Sequence, residues 1–305
     1  MNPNSIAIVE ARDTTVSSKD ANVTIIITTK NRPEDLAKTL GKLLSLGLEA
    51  IPLILVDDGS DEETIDSSQL SAFSRVTVHR NSTSRGLVVN RNWMASVATT
   101  EFVLSLDDDS CFREIPNLEM AAAYMRQNPA TIGLQFNNVE VSLAQTPVPR
   151  CPPYAVQTYT GFGHMLRRAE FLNLGGYREY FIHMCEERDF CQRAWQQGYR
   201  VELYPDIVVE HHRTSVARNT KRNAFFLIRN SLIYSSLNLP FWPFVLRVAL
   251  ILPWSIMHNI SQPSLWRHFV AGWFAGLLTA QRRKSERRAM TDAQYSIYRM
   301  LPMSR

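Results

Sequence analysis

An α/β fold with a mostly parallel central sheet is predicted by three observations. The run Val23-Thr24-Ile25-Ile26-Ile27-Thr28-Thr29 is almost continuously β-branched and reads as a strand buried on both faces. A second apolar run, residues 51–56, leads into Asp57-Asp58-Gly59-Ser60-Asp61, and a third, Phe102-Val103-Leu104-Ser105-Leu106, ends in Asp107-Asp108-Asp109. Between the first two lies a helical stretch, so the chain opens with a βαβ unit. Its crossover is expected to be right-handed, with both strands delivering their C-terminal loops to one sheet edge.

The helix follows from its punctuation. Pro33 suits a first turn, and Glu34 and Asp35 complement the positive end of the helix dipole. Leu36, Leu40, Leu43 and Leu44 recur on one face, and Gly47 is placed to stop the helix. The Asp triplet after the third run concentrates like charge at a strand end, where a shared cation relieves the repulsion. Open α/β sheets bind ligands at that edge, and Asp oxygens suit Mg2+ or Mn2+. An isolated triplet is as readily a solvated turn, so neighbouring motifs must decide.

The chain of 305 residues, 45% hydrophobic, is long enough for one α/β domain with an appendage. Cys111, Cys151, Cys185 and Cys191 form no CxxC pair, which argues for buried thiols rather than a disulfide framework or structural zinc. The first twenty residues lack the apolar core of a secretory signal, giving a cytoplasmic expectation. The net charge of +4 is unevenly spread: from residue 263 onward eight basic residues face two acidic ones, so +6 sits there and −2 elsewhere. A near-neutral remainder with a basic tail argues against a general nucleic-acid binder.

Ahead of that tail, residues 241–278 are rich in apolar side chains. Pro243 and Pro253 are expected to interrupt helices there and Arg247 to interrupt hydrophobicity, leaving no clean stretch of ~20 apolar residues to span a bilayer. Trp242, Trp254, Trp266 and Trp273 with flanking Arg suit either helices lying at an anionic membrane surface or helices packed on the preceding domain.

Thr28-Thr29-Lys30-Asn31-Arg32, Val56-Asp57-Asp58-Gly59-Ser60, the stretch from Arg85-Gly86 to Arg91-Asn92, and Leu106-Asp107-Asp108-Asp109 occur in an order that resembles family 2 glycosyltransferases of the GT-A fold. Thr160-Gly161-Phe162-Gly163, Gly175-Gly176-Tyr177, Cys185-Glu186-Glu187-Arg188-Asp189-Phe190, Arg193, Gly198-Tyr199-Arg200 and His211-His212 continue the resemblance, which covers about residues 22–215. It implies an N-terminal extension over 1–21, a GT-A domain over 22–215 and a C-terminal helical, basic region over 216–305.

The resemblance also implies roles. Thr28 and Asp57 would hold the nucleotide base; a carboxylate accepts from the imide N–H of uracil or thymine, whereas cytosine offers no such donor, and UDP or dTDP is expected in preference to GDP. Arg91 would lie near the nucleotide. Asp107 would bind the ribose and Asp109 a divalent ion, Mn2+ or Mg2+; Asp108 is a further donor-binding candidate, and the sequence leaves open whether it substitutes for either neighbour. His211 is a metal-ligand candidate favouring Mn2+. The family's Glu-Asp pair appears here as Glu-Glu, putting Glu187 at the general-base position with Glu186 as competitor. The implied activity is inverting, metal-dependent transfer of a sugar from a nucleotide-diphosphate sugar to a hydroxyl of a saccharide or lipid-linked acceptor, with an anionic membrane surface as a further partner and no nucleic acid. The alternatives are a nucleotidyltransferase acting on a sugar phosphate, although no Gly-rich triphosphate loop follows the first strand, and a non-catalytic membrane scaffold, which would have no need of intact acidic motifs.

Overall fold

The computed structural model describes residues 22–62, 64–65, 67–213 and 219–303. The expected N-terminal extension and the boundary expected at residue 215 lie outside the described residues. In chain order the elements are β1 (Val23–Thr29), α1 (Pro33–Ser45), β2 (Leu53–Asp57), α2 (Ser67–Leu70), β3 (Val76–Arg80), α3 (Leu87–Val97), β4 (Phe102–Asp107), β5 (Ser110–Phe112) and α4 (Leu118–Gln127). There follow β6 (Thr131–Glu140), β7 (Tyr154–Val156), β8 (His164–Arg167), α5 (Arg168–Asn173), α6 (Glu186–Gln196) and β9 (Arg200–His211). The C-terminal helices are α7 (Thr220–Asn238), α8 (Phe241–His258), α9 (Trp266–Arg282) and α10 (Asp292–Tyr298).

The strands form one sheet in the order β3-β2-β1-β4-β8-β6-β9-β5, with β7 on β9. β3, β2, β1 and β4 are parallel neighbours; β8 runs against both β4 and β6, and β6 pairs in parallel with β9. Six of the nine strands run the same way, so the sheet is mostly parallel, as expected, with β8 reversed inside it and β5 and β7 each antiparallel to β9. Alternation along β1 explains why the strand must be apolar on both sides. Ile25 and Ile27 pack with Leu36, Leu40 and Leu43 of α1 and Ala121 and Met125 of α4, while Ile26 joins Val88 and Met94 of α3 and Phe190 of α6 on the other face.

The α1 end is as its sequence predicts. Gly47 takes φ +70°, and Leu48 N–H donates to the Leu43 carbonyl while Gly47 N–H donates to Leu44. This pair of bonds satisfies carbonyls that the helix end would otherwise orphan. All four cysteines are free; Cys111 and Cys191 are buried and Cys185 half-buried, but Cys151 is exposed, against the expectation of four buried thiols.

The C-terminal helices differ most from expectation. α8 runs unbroken through both prolines. Pro243 lies in the first turn, where no intrahelical N–H bond is lost, and Pro253 sits beside Ala249 on the exposed side. With 18 residues and a mean hydropathy of 1.4, α8 is long and apolar enough to cross a membrane by length and composition alone. Its inner face packs with α7 and α9 around Ile228, Leu232, Ile251 and Phe269. α7 in turn seats on α6: Gln192 Nε2 donates to the Asn238 carbonyl at 2.7 Å, and Asn238 Nδ2 to Asp189 Oδ1 at 2.8 Å.

Candidate functional site

The site is assembled at the C-terminal edge of β1, β2 and β4. Sheet register sets Thr29 beside Asp57 and Thr28 beside Asp107, so the three predicted strand-end positions are neighbours before any side chain is considered. The Thr28 hydroxyl is buried and has no hydrogen-bond partner among the described residues. Asp57 is 1% exposed; its Oδ1 accepts from Ser60 N at 2.9 Å and Ser60 Oγ at 2.6 Å, and Arg80 stands 3.4 Å from Oδ2.

The next residue organises a loop. Asp58 accepts from Asn81 Nδ2, Ser84 Oγ, Arg85 N and Gly86 N at 2.6–3.0 Å. Burial opposes its charge, but these donors outweigh that and hold its pKa below the usual carboxylate value. Gly59 makes the turn possible: at φ +70° a Cβ would lie 2.9 Å from the backbone of Thr83 and Ser84.

The three aspartates after β4 point in different directions. Asp107 is partly open, its side chain 30% exposed, and accepts from Arg91 Nη2 at 2.9 Å. Asp108 turns inward to Thr29 Oγ1 and Arg32 Nη1, both at 2.8 Å. Burial pushes its pKa up to about 6 against the pull of Arg32 and Thr29. Asp109 accepts from Arg32 at 3.1 Å through Oδ2 and lies 2.9 Å from His211 Nε2 through Oδ1.

His211 arrives from the far end of the chain because β5 and β9 pair antiparallel with Ser110 opposite His211. Its Nδ1 lies 3.0 Å from Glu140 Oε2, whose residue is its neighbour in the β6–β9 ladder. Burial disfavours the imidazolium, but Asp109, Asp107 and Glu140 together hold its pKa above the usual histidine value. Asp107, Asp109 and His211 each bring one ligand atom to within 4.8 Å of the others.

On the other side of Asp107, Arg91 of α3 is 2% exposed and is a hub. Besides Asp107 it donates to the Gly161 carbonyl and, at 3.3 Å, to Glu187 Oε1; Glu186 Oε1 is 4.0 Å away. Gly161 is needed for this approach, since a Cβ would sit 2.9 Å from Glu187 Oε1. Glu186 and Glu187 begin α6, where the dipole favours a carboxylate. Glu186 is almost fully enclosed, its side chain 2% exposed against 14% for Glu187. Burial, then the charge of Glu187, pushes the Glu186 pKa well above the carboxylate range; burial also raises that of Glu187, with Arg91 opposing. With one guanidinium among three carboxylates, Glu186, the more deeply buried, is the one pushed furthest toward the neutral form.

The segment before α6 is strained. Ile182, Met184 and Cys185 take φ of 65°, 72° and 71°, a region that costs a β-branched residue most. Asn230 of α7 holds it, with Nδ2 2.7, 2.6 and 2.9 Å from the carbonyls of Phe181, His183 and Met184.

The structure thus gathers Arg91, Asp107, Asp109, Glu186, Glu187 and His211 in one place, with Thr28 and Asp57 along the same sheet edge. Asp108 is turned toward Thr29 and Arg32, the latter shared with Asp109. Sequence reasoning missed Glu140, Arg32 and Asn230: Arg32 lay inside a quoted motif without a role, Glu140 is an acidic strand end, and Asn230 carries no local signal.

Residues 24–178 match the family described as Glycosyl transferase family 2. Among relatives, the pre-mycofactocin glycosyltransferase of Mycobacterium tuberculosis (strain CDC 1551 / Oshkosh) is 25% identical over 222 residues, covering 67% of this chain and 46% of that protein. The chain therefore spans less than half the length of that relative. Among solved structures, S. aureus TarS 1–349 matches with TM-score 0.56 and 16% identity over 91% of each chain. The same protein in complex with UDP-GlcNAc gives 0.52 at 18% identity, over 70% of this chain and 66% of that one. The mannosyltransferase PcManGT from Pyrobaculum calidifontis, in complex with GDP-Man and Mn2+, gives 0.55 at 14% identity, over 84% of this chain and 87% of that one. At these identities the structural likeness carries the fold, which is of GT-A type. The family match reaches from β1 through the Asp triplet and the Gly161 segment, over more than half of the residues, and so the chain belongs to glycosyl transferase family 2.

Proposed function

We propose that this chain is an inverting, metal-dependent glycosyltransferase that moves a sugar from a nucleotide-diphosphate sugar to a hydroxyl of a saccharide or lipid-linked acceptor. One observation carries the reading: a set of metal-ligand atoms on Asp107, Asp109 and His211 and a carboxylate on Glu187 flank the same buried guanidinium, that of Arg91. In this reading residues 22–215 are the catalytic unit, 216–305 a helical appendage, and the work is done in the cytoplasm.

The donor set fits a divalent ion. Two carboxylates and an imidazole converge, and the second nitrogen of that imidazole is engaged by Glu140, the usual arrangement for a metal-ligating histidine. The imidazole favours Mn2+ over Mg2+, which prefers oxygen. Asp109 and His211 would hold the ion, with Asp107 adjoining and assigned to the ribose. When bound, such an ion supplies Lewis-acid stabilisation of negative charge on the departing diphosphate.

The remaining roles belong to the protein. Thr28, with its unpartnered hydroxyl, and Asp57 are assigned the base; a carboxylate there accepts from the imide N–H of uracil or thymine and disfavours cytosine, which has no donor at that ring position, and UDP or dTDP is taken as the donor nucleotide. Arg91 fixes Asp107 and Glu187 relative to one another. Glu187 takes the proton of the acceptor hydroxyl as its oxygen attacks the anomeric carbon opposite the diphosphate, so configuration inverts. Glu186, pushed toward the neutral form, serves as a neighbour to that base. Asp108 is assigned to positioning: with Arg32 it braces the loop that carries Asp107 and Asp109.

The test is product identity. Purified protein with Mn2+ and UDP-, dTDP- or GDP-sugars should release the nucleoside diphosphate, faster with acceptor present. Pyrophosphate released from a nucleoside triphosphate and a sugar phosphate would make the chain a nucleotidyltransferase. Nucleotide binding without turnover of any donor and acceptor tried would favour the scaffold reading.

A further inference from the structure

Among the described residues, nothing covers the outer surface of helix α8. Only 11% of the helix is buried. Trp242, Leu246, Leu250, Trp254 and Met257 recur every three or four residues and are 53–68% exposed. On α9, Val270, Phe274 and Leu278 form a second exposed row, and an apolar groove of about 400 Å³ lies between the helices, lined by Phe244, Leu252, Trp273 and Leu277 among others. The platform beneath is tightly built. α9 approaches α7 so closely at Gly276 that a Cβ there would sit 2.8 Å from the Arg229 carbonyl.

Charge says what covers this face. α8 and α9 carry no Asp or Glu, and their Lys and Arg residues are Arg247, Arg267 and Arg282. We propose that the α8–α9 face docks onto an anionic lipid bilayer, with α8 lying in the headgroup plane and its apolar stripe in the acyl boundary. Trp242 and Trp254 are side chains that favour this depth, and Arg247 and Arg267 border the apolar rows. A second copy of the chain is the poorer occupant, because two carboxylate-free faces would bring like charges together with no counter-charge. α8 lies on the bilayer rather than across it, since its inner face is already packed against α7 and α9.

The apolar stripe is the anchor, and the basic cluster after α9 is secondary. Arg283 pairs with Glu286 at 3.1 Å and stacks over Tyr180, and Arg287 donates to the Leu239 carbonyl at 2.8 Å. These side chains hold the tail to the protein. Binding is therefore expected to survive salt better than a polybasic attachment, which is screened within about 8–10 Å.

Flotation of the full chain with phosphatidylglycerol-containing vesicles, at low and high salt and without any nucleotide, tests this independently of the active-site reading. Wild type should float under both conditions, and Leu246→Ser/Leu250→Ser/Trp254→Ser should lose about a hundredfold or more in partitioning, as expected for three exposed apolar anchors. Its thermal unfolding should match wild type; if it does not fold, Trp254→Ala alone should still partition measurably less. Quenching of tryptophan fluorescence by lipids brominated near the headgroups should fall in Trp242→Phe/Trp254→Phe. Failure of wild type to float at low salt, equal flotation of the triple variant, or a wild-type dimer that the triple variant abolishes would each overturn the proposal.

Discussion

Arg91 and Glu187 stand 3.3 Å apart, and the same guanidinium donates at 2.9 Å to Asp107. The acid at the start of α6 and the acid at the end of β4 are thus tied to one rigid cation that is almost wholly buried. A guanidinium can do this because its planar fork presents several donors in fixed directions, which a lysine ammonium cannot. The electrostatic consequence is that Arg91 favours the charge of Glu187, while burial and the charge of Glu187 disfavour that of Glu186.

Replacing Glu187 by Gln should leave donor binding intact while turnover falls by roughly 10²–10⁴, the usual contribution of a general base. Glu186→Gln should be milder, since burial and the charge of Glu187 already disfavour a charge on that side chain. Burial raises the Glu187 pKa, and a base must be deprotonated, so the acid limb of the wild-type rate profile should lie above the ordinary carboxylate range. Initial rates across pH check this. A dead Glu186 variant beside an active Glu187 variant would move the base one residue upstream.

Asp109→Asn removes one charge from the Asp107, Asp109 and His211 group and weakens the contact that orients His211. Calorimetric titration with UDP should show the Mn2+-dependent part of binding lost, while the metal-free part persists. Glu140→Gln should weaken Mn2+ affinity by about 10–100-fold, the effect expected when a ligand histidine loses its supporting carboxylate.

Asp58 offers a prediction about stability. Its folded pKa lies below the unfolded value of about 3.9, so its contribution is fully present above that value and is lost as pH falls through the folded one. Asp58→Asn should therefore destabilise the protein at neutral pH, by about 1.5–3 kcal/mol for charge-assisted bonds, and the difference from wild type should shrink in strong acid. Urea titrations at several pH values measure both.

Much of this architecture was legible because its causes are local. β1, β2 and β4 are runs of β-branched and apolar residues that stop at Asp, and α1 carries its own start and stop signals. Parallel register then brings Thr28, Asp57 and Asp107 together without further information. The pairing of Asp109 with His211 spans 102 residues and depends on the β5–β9 ladder, so the sequence could offer His211 only by resemblance. Glu140 was invisible because nothing in its own strand says which histidine will lie beside it. Pro253 was read as a break, yet α8 continues, because packing along α7 and α9 outweighs one missing bond on the exposed side. The left-handed backbone at Ile182 was also unreadable, since nothing about isoleucine predicts a conformation it disfavours.

That backbone depends on a residue in the C-terminal region. Asn230 Nδ2 shares its two N–H groups among the carbonyls of Phe181, His183 and Met184, and the chain then turns through Cys185 directly into Glu186 and Glu187. Asn230→Ala leaves these buried acceptors without their donor, at a cost of about 1–3 kcal/mol, and frees the strained segment to relax. Since Asn230 touches neither Thr28, Asp57 nor the Asp107–Asp109 group, kcat should fall while the KM for donor stays close to wild type. Asn230→Asp should not rescue, because a carboxylate cannot donate to a carbonyl. A variant that loses stability but keeps its kcat would reduce Asn230 to a structural clamp, whereas a kcat loss in a stable protein would make α7 part of what positions the base.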